Sequence, residues 1–393
     1  MRMRLIPQVL ALVVCLASAL VSSVLAAAPA TQALSRDAAI ARLRDNGVYV
    51  RALLDRSGRD GAMISLGIGP TGGPADNAND QNLALVAQIP EIERLFVHKG
   101  TFTARGLAAL AALDNLRTLG FHSPQVQPGT FASLAELKQL KSLRFSEYAV
   151  TDEILGYAGA IRGLKSLEVA SFINTTQRMT AAGIARFLQN VTDLEGLVLL
   201  GAPLDDAGLA RLGQMKNMVR LWTDSRQITS KGWAPLAGLT RMRDLYLRGT
   251  TFDDAGAQAL AGMKDLRQLM LDDTAITDAG LASLAGLVDL GDLGLANTQV
   301  TDKGMEHLKG MTKLHNLYVV GTKVTAKGLA VLPEKREMAM MRIGSKPLTP
   351  AEYAELEEMF PRSEIFDTAG YWTRERVRAA KQSLPPKRPT TGP

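Results

Sequence analysis

Few residues in this chain of 393 have the type and spacing that chemistry requires. His98 and His122 stand 24 positions apart and could begin a metal site. Zinc takes three or four ligands, however, and no carboxylate or cysteine completes this set. Asp205-Asp206 and Asp253-Asp254 are paired carboxylates of the sort that could divide acid and base work. They recur at one slot ahead of a helical pattern, where aspartate is a cap. Gly67-Ile68-Gly69 followed by Gly72 fails as a dinucleotide fingerprint, because no helical pattern follows directly. The chain has no HExxH, CxxC, GxSxG or phosphate-loop motif, and its one cysteine, Cys15, lies in an apolar N-terminal stretch. These readings predict a non-enzymatic protein with no cofactor and no metal.

A second set of residues could do binding rather than catalysis. Trp222, Tyr246 and Met270 are spaced by 24, and Arg220 and Arg248 flank them; Tyr318 falls in the same series. Aromatics make up only 5% of the chain, so a row of them is unusual. Trp, Tyr and Arg are the residue types that dominate interface energetics. What positions them is a repeat of 24 residues running from about residue 92 to 337. Its clearest copy is Leu266-x-x-Leu269-x-Leu271-x-x-Thr274-x-Ile276-Thr277-Asp278-x-Gly280-Leu281-x-x-Leu284-x-x-Leu287. A fixed short period of this kind means a solenoid. Within each copy the apolar spacing changes from two, as in a strand, to three and four, as in a helix. Thr277 or Asp278 is placed to cap the helix, and the glycine after it recurs where close packing against the next coil is expected.

The repeat resembles the leucine-rich repeat in its short bacterial form and is similar to the cysteine-containing subtype of that family. The resemblance implies an α/β solenoid, a horseshoe or arc with a parallel sheet on the concave side and helices on the convex side. Thr250, Thr274, Thr298 and Thr322 occupy the position where many such repeats stack asparagine. Ala202 and Arg226 are expected to interrupt that hydrogen-bonded column. If Leu269 and Leu271 face the core, then Gln268, Met270 and Asp272 face outward. The outward central column then runs Phe96, Gly120, Arg144, Glu168, Val198, Trp222, Tyr246, Met270, Gly294, Tyr318. Along the next column, Asp224, Arg248 and Asp272 alternate in sign and are expected to form a cross-strand ion-pair ladder, while His98 and His122 sit side by side in solvent.

Five segments follow. Residues 1–28 have the order of a secretory signal peptide, with Arg2 and Arg4, an apolar run and small residues at 26–28. Residues 29–62 read as an N-terminal capping helix and strand, and 63–345 as about 11–12 repeats with insertions near Gly69 and Phe172. Residues 346–371 read as a C-terminal cap, and 372–393 as a basic, Pro-rich tail expected to be disordered. The charge of +6 sits at the two ends, leaving a near-neutral body that argues against nucleic acid. The expectation is an exported monomer, periplasmic or extracellular, holding a protein or other macromolecule on the concave sheet through Trp222, Tyr246, Met270, Tyr318, Arg220 and Arg248. The membrane enters only if the leader is retained. A structural envelope protein tethered by the leader or the tail is the alternative, and an enzyme with an unrecognised site is a third.

Overall fold

A computed structural model describes residues 34–51, 62–66, 78–170, 178–332, 338–344, 347–361, 363–367 and 370–371. The leader, the insertion positions 69–77 and 171–177, the turn at 56–61 and the tail 372–393 lie outside the described residues. Strand and helix alternate, one of each per coil. The strands are β1 (Tyr49–Arg51), β2 (Ala62–Leu66), β3 (Ile92–His98), β4 (Thr118–His122), β5 (Ser142–Ser146), β6 (Ser166–Ala170), β7 (Gly196–Leu199) and β8 (Arg220–Thr223). They continue as β9 (Asp244–Tyr246), β10 (Gln268–Met270), β11 (Asp292–Gly294), β12 (Asn316–Tyr318), β13 (Met340–Arg342), β14 (Glu364–Asp367) and β15 (Gly370–Tyr371). All fifteen form one sheet in chain order. Pairing is parallel from β2 to β14, and an antiparallel partner closes each end.

This is a leucine-rich-repeat solenoid. Each coil returns its strand beside the last, so register follows the period: Leu245, Leu269, Leu293 and Leu317 are successive partners. Strands lie about 4.8 Å apart, whereas packed helices need about 8–10 Å. The helical side is therefore the longer one and the sheet becomes the concave side. The core is a stack of identical layers. Leu266, Leu269, Leu271, Ile276, Leu281, Leu284 and Leu287 are all buried, and the equivalent positions of neighbouring coils repeat them. The helical arm is not uniform, since Pro128–Glu136 and Ser230–Gly238 are 3-10 segments. Pro235 inside the second cannot donate an α-helical hydrogen bond.

The Thr-Asp-x-Gly signature has a division of labour. Thr277 caps its own helix by accepting from the Ala279 N–H. Asp278, at the first helical position, reaches instead into the following coil. It accepts from the Thr301 N–H at 2.8 Å and the Thr301 hydroxyl at 2.7 Å. The same two-bond clasp joins Asp80 to Thr103, Asp152 to Thr180, Asp206 to Thr229, Asp254 to Thr277 and Asp302 to Thr325. The recurrent glycine accommodates it. A Cβ on Gly304 would stand 2.4 Å from Asp278 Oδ1, and one on Gly183 would stand 1.9 Å from Asp152 Oδ1. The expected close approach is thus to a carboxylate of the preceding coil rather than to backbone. Where the preceding coil has Ala181 or Ser230 at this slot, the cap is Asp205 or Asp253, and no clasp is made. An aspartate cap facing a clasping aspartate would set two negative charges together.

The threonine column does not behave as expected. Thr250, Thr274, Thr298 and Thr322 are buried, but each hydroxyl donates to the carbonyl three residues back in its own coil. There is no ladder between coils for Ala202 and Arg226 to interrupt, because each of these hydroxyls is already satisfied by a carbonyl of its own turn. In the Arg226 coil the neighbouring Ser225 is buried and donates to Leu204 O of the preceding coil at 2.6 Å.

Candidate concave-face binding site

Register places every residue of the central column in line. Phe96 pairs with Gly120, Gly120 with Arg144, Arg144 with Glu168 and Glu168 with Val198. Val198 then pairs with Trp222, Trp222 with Tyr246, Tyr246 with Met270, Met270 with Gly294 and Gly294 with Tyr318. The line extends to Arg342 and Phe366. Val198 and Gly294 are buried, so the partly exposed members fall into separate groups.

Trp222 and Tyr246 form the tightest group, with ring centroids 4.3 Å apart and planes tilted by 33°. The rings cover one another's faces. Arg220 lays its guanidinium 5.9 Å from the Trp222 ring centre while pairing with Asp244 at 3.2 Å. The Tyr246 hydroxyl donates to Gln268 Oε1 at 3.0 Å, and Gln268 Nε2 donates to Asp292 Oδ2 at 2.7 Å. Asn316 Nδ2 supplies Asp292 Oδ1, and His315 Nε2 lies 3.5 Å from the same oxygen. Burial, followed by the Asp292 charge, pushes the Tyr246 phenol above its ordinary value, and the same two causes raise Tyr318. Both phenols therefore stay protonated donors well into the alkaline range.

The expected ladder of Asp224, Arg248 and Asp272 is not formed. Arg248 turns to Asp273 at 3.0 Å, Asp224 accepts from the Gly201 N–H at 2.7 Å, and Asp272 accepts from the Ala296 N–H at 2.8 Å. The reason is local: backbone N–H groups at the strand ends claim Asp224 and Asp272. Asp273 (φ 58°) meanwhile offers a more exposed carboxylate. Two neighbours consequently titrate in opposite senses. Burial raises Asp272, while hydrogen bonds from Asn297 and Arg248 lower Asp273.

His98 and His122 are register partners with ring centres 5.6 Å apart. The expected solvated pair is instead half-buried, and His98 Nδ1 has neither solvent nor a hydrogen-bond partner. Burial and the facing His122 both lower the His98 pKa. Among the described residues no group of three or more His, Cys, Asp or Glu is arranged to hold a metal.

Of the predicted site residues, the structure brings Arg220, Trp222 and Tyr246 into contact. Met270 leans over Gly294, Tyr318 stands beyond that glycine, and Arg248 lies to one side on Asp273. Of the polar row Asp244, Gln268, Asp292, Asn316, the sequence pattern singled out only Gln268 as outward-facing. The signal for the others was present at the position just before the first strand leucine of each coil. Two hollows flank the column. One of about 380 Å³ is bounded by Asp224, Arg226, Arg248, Gly249 and Asp273. The other, of about 530 Å³, is bounded by residues that include Arg267, Asp289, Asp292, Lys313 and His315. Both are shallow and charged, unlike the enclosed apolar sites that hold small molecules.

No family model and no curated protein matches the chain. Solved structures do. An internalin from Listeria monocytogenes aligns at 22% identity over 67% of this chain and 77% of that one, with a TM-score of 0.48. A leucine-rich-repeat protein of Leptospira interrogans aligns at 15% identity over 73% and 87%, with a TM-score of 0.42. The plant peptide hormone receptor RGFR1, solved in complex with RGF2, aligns at 13% identity over 72% and 48%, also at 0.42. The fold assignment rests on the chain's own period and register, and at such scores these likenesses carry nothing about a ligand.

Proposed function

We propose that this chain is an exported, non-enzymatic binding module that holds a protein partner on its concave sheet, centred on Trp222 and Tyr246. The observation that carries the reading is the column itself. In a protein whose other large aromatics mostly fill the core, a run of large side chains stands partly exposed on one face of consecutive strands, flanked by Arg220 and Arg248. Tryptophan, tyrosine and arginine grouped on a rigid sheet are what an interface centre requires. Strands hold them in place before binding, which lowers the ordering cost of association. Export rests on the order of charged, apolar and small residues in 1–28, with caps at 29–62 and 346–371 enclosing the repeats.

The test is affinity capture from the native envelope with the wild-type chain and with Trp222→Ala/Tyr246→Ala. Capture should be lost, while thermal unfolding shifts by the equivalent of about 0.5–1.5 kcal/mol, the value of one aromatic pair. Retained capture, or collapse of the fold, would sink the proposal.

A further inference from the structure

The concave face carries one pair of metal-ligating side chains that the aromatic group does not use. His98 ends β3 and His122 ends β4, and the two are register partners on parallel strands. Their ring centres stand 5.6 Å apart, with the planes tilted by 52°. The platform beneath them is fixed. Val97 and Phe121, the residues just before them, are buried. The Lys99 N–H donates to His122 O at 2.7 Å and ties the two strand ends together. Trp222 on β8 is four strand spacings from β4, roughly 19 Å, so the pair is a separate place on the face.

A second observation points to a ligand. His98 Nδ1 is shut off from water and has no hydrogen-bond partner. Buried polar atoms are nearly always satisfied, and leaving one unpaired costs about 1–3 kcal/mol. The donors nearest in register are turned elsewhere. Arg144 pairs with Glu168 at 2.8 Å and lies 6.0 Å from the Phe96 ring centre. The Ser146 hydroxyl, next in line after His122, turns to Phe121 O at 3.5 Å. A bare imidazole nitrogen left in this way can be satisfied by an electron-pair acceptor, and a metal ion is one.

The spacing suits a shared ion. Two bonds of about 2.0–2.1 Å bring their nitrogens within roughly 3–3.5 Å of one another, and rings at this separation reach that with small side-chain rotations. Among the described residues no third His, Cys, Asp or Glu joins the pair, so these residues do not build the closed cage of a structural zinc site. Two imidazoles with the remaining positions left to water suit a tetragonal ion instead, and copper(II) heads the affinity order for nitrogen ligands.

We propose that His98 and His122 form an open site for a divalent transition ion, copper(II) above the others, held by one nitrogen from each ring with His98 Nδ1 among them. The site does not depend on a partner at Trp222 and Tyr246.

The experiment titrates copper(II) into the full chain at about pH 7.5, where imidazole is mostly neutral, and reads binding by electron paramagnetic resonance. The wild-type chain should show one saturable site whose spectrum carries coupling to two imidazole nitrogens. His98→Ala and His122→Ala should each weaken binding at least about tenfold, or 1.4 kcal/mol, and each should remove one coupled nitrogen. The chain has four histidines, so His307→Ala/His315→Ala is the control and should leave the site unchanged. The nitrogen count is read on the wild type and stands even where a variant unfolds. No saturable binding below about 1 mM copper, coupling to fewer than two imidazole nitrogens, or loss of the site in the control variant would overturn the proposal. Unchanged affinity in both single variants would mark an adventitious ion only and likewise overturn it. Displacement of copper by equimolar zinc would overturn the assignment of the ion.

Discussion

The strands of the first and second halves of the array place most of their aromatic residues on opposite faces, with Phe96 the outward exception in the first and Trp233 and Phe252 filling the core from outside the strands in the second. Around β3 to β5, Phe121 and Phe145 occupy the inward strand position and meet Phe102 and Phe131 in the core, with Phe131 centred 5.0 Å from Phe121 and 5.2 Å from Phe145. The outward face there holds the His98–His122 pair and the Arg144–Glu168 ion pair at 2.8 Å. From β8 onward the inward position is Thr223, Leu247, Leu271, Leu295 and Val319, and the rings stand outward at Trp222, Tyr246 and Tyr318. The backbone is the same in both halves. A shift of one residue along a strand decides whether a ring supports the fold or presents a surface. The halves also differ in regularity: in the second, Asp254, Asp278 and Asp302 clasp three successive coils.

The contrast can be broken most forcefully at Phe131. Phe131→Ala should cost about 3–5 kcal/mol, the usual penalty for emptying a fully buried aromatic site, and should destabilise the first half before the second. Because coils contact only their neighbours, unfolding followed by hydrogen exchange should show protection lost around β3 to β5 first. A loss as small as that of Trp222→Ala would mean that the phenylalanine cluster does not carry the core of the first half.

The clasp offers a sharper and smaller test. Asp278→Ala should cost about 1–2 kcal/mol for two hydrogen bonds to a carboxylate. Gly304→Ala should be costly beside Asp278 and milder once Asp278 is alanine, since the methyl group then has room. Denaturant unfolding of the four chains should give a coupling of at least about 0.5 kcal/mol; additivity would show that the glycine is kept for another reason.

The smallest expected effect is in pH dependence. Asp273 is lowered in the folded chain, so its contribution is present above its unfolded pKa and is lost as pH falls through the folded value. Asp272 is raised, so folding favours its neutral form, and its contribution declines as pH rises from the unfolded toward the folded value. At neutral pH, Asp273→Asn should therefore lower Tm slightly and Asp272→Asn should leave it unchanged or raise it. Once the pH has fallen through the lowered folded pKa of Asp273, both carboxyls are neutral and the two variants should match the parent chain. The exposed Asp273–Arg248 pair is worth no more than about 1 kcal/mol. The same sign for both variants at neutral pH would show that the neighbours share one environment.

Much of this was legible in the residues. The 24-residue period and the change of spacing within each coil established the solenoid, and alternation placed Trp222, Tyr246, Met270 and Tyr318 in one column. Those inferences succeed because a parallel stack makes residue i the neighbour of residue i plus 24, and side-chain direction alternates strictly along a strand. Partner choice was not legible. Arg248 had three carboxylates within reach of its row and took Asp273, because backbone N–H groups had claimed the other two. The threonine hydroxyls bonded within their own turns, whereas Asp278 crossed to the next coil and explained a glycine 26 residues later. The period by itself determined which residues are neighbours and which face they share. Only the tertiary structure decided which neighbours bond, since that depends on side-chain reach, local backbone geometry and the cost of leaving a buried polar group unpaired.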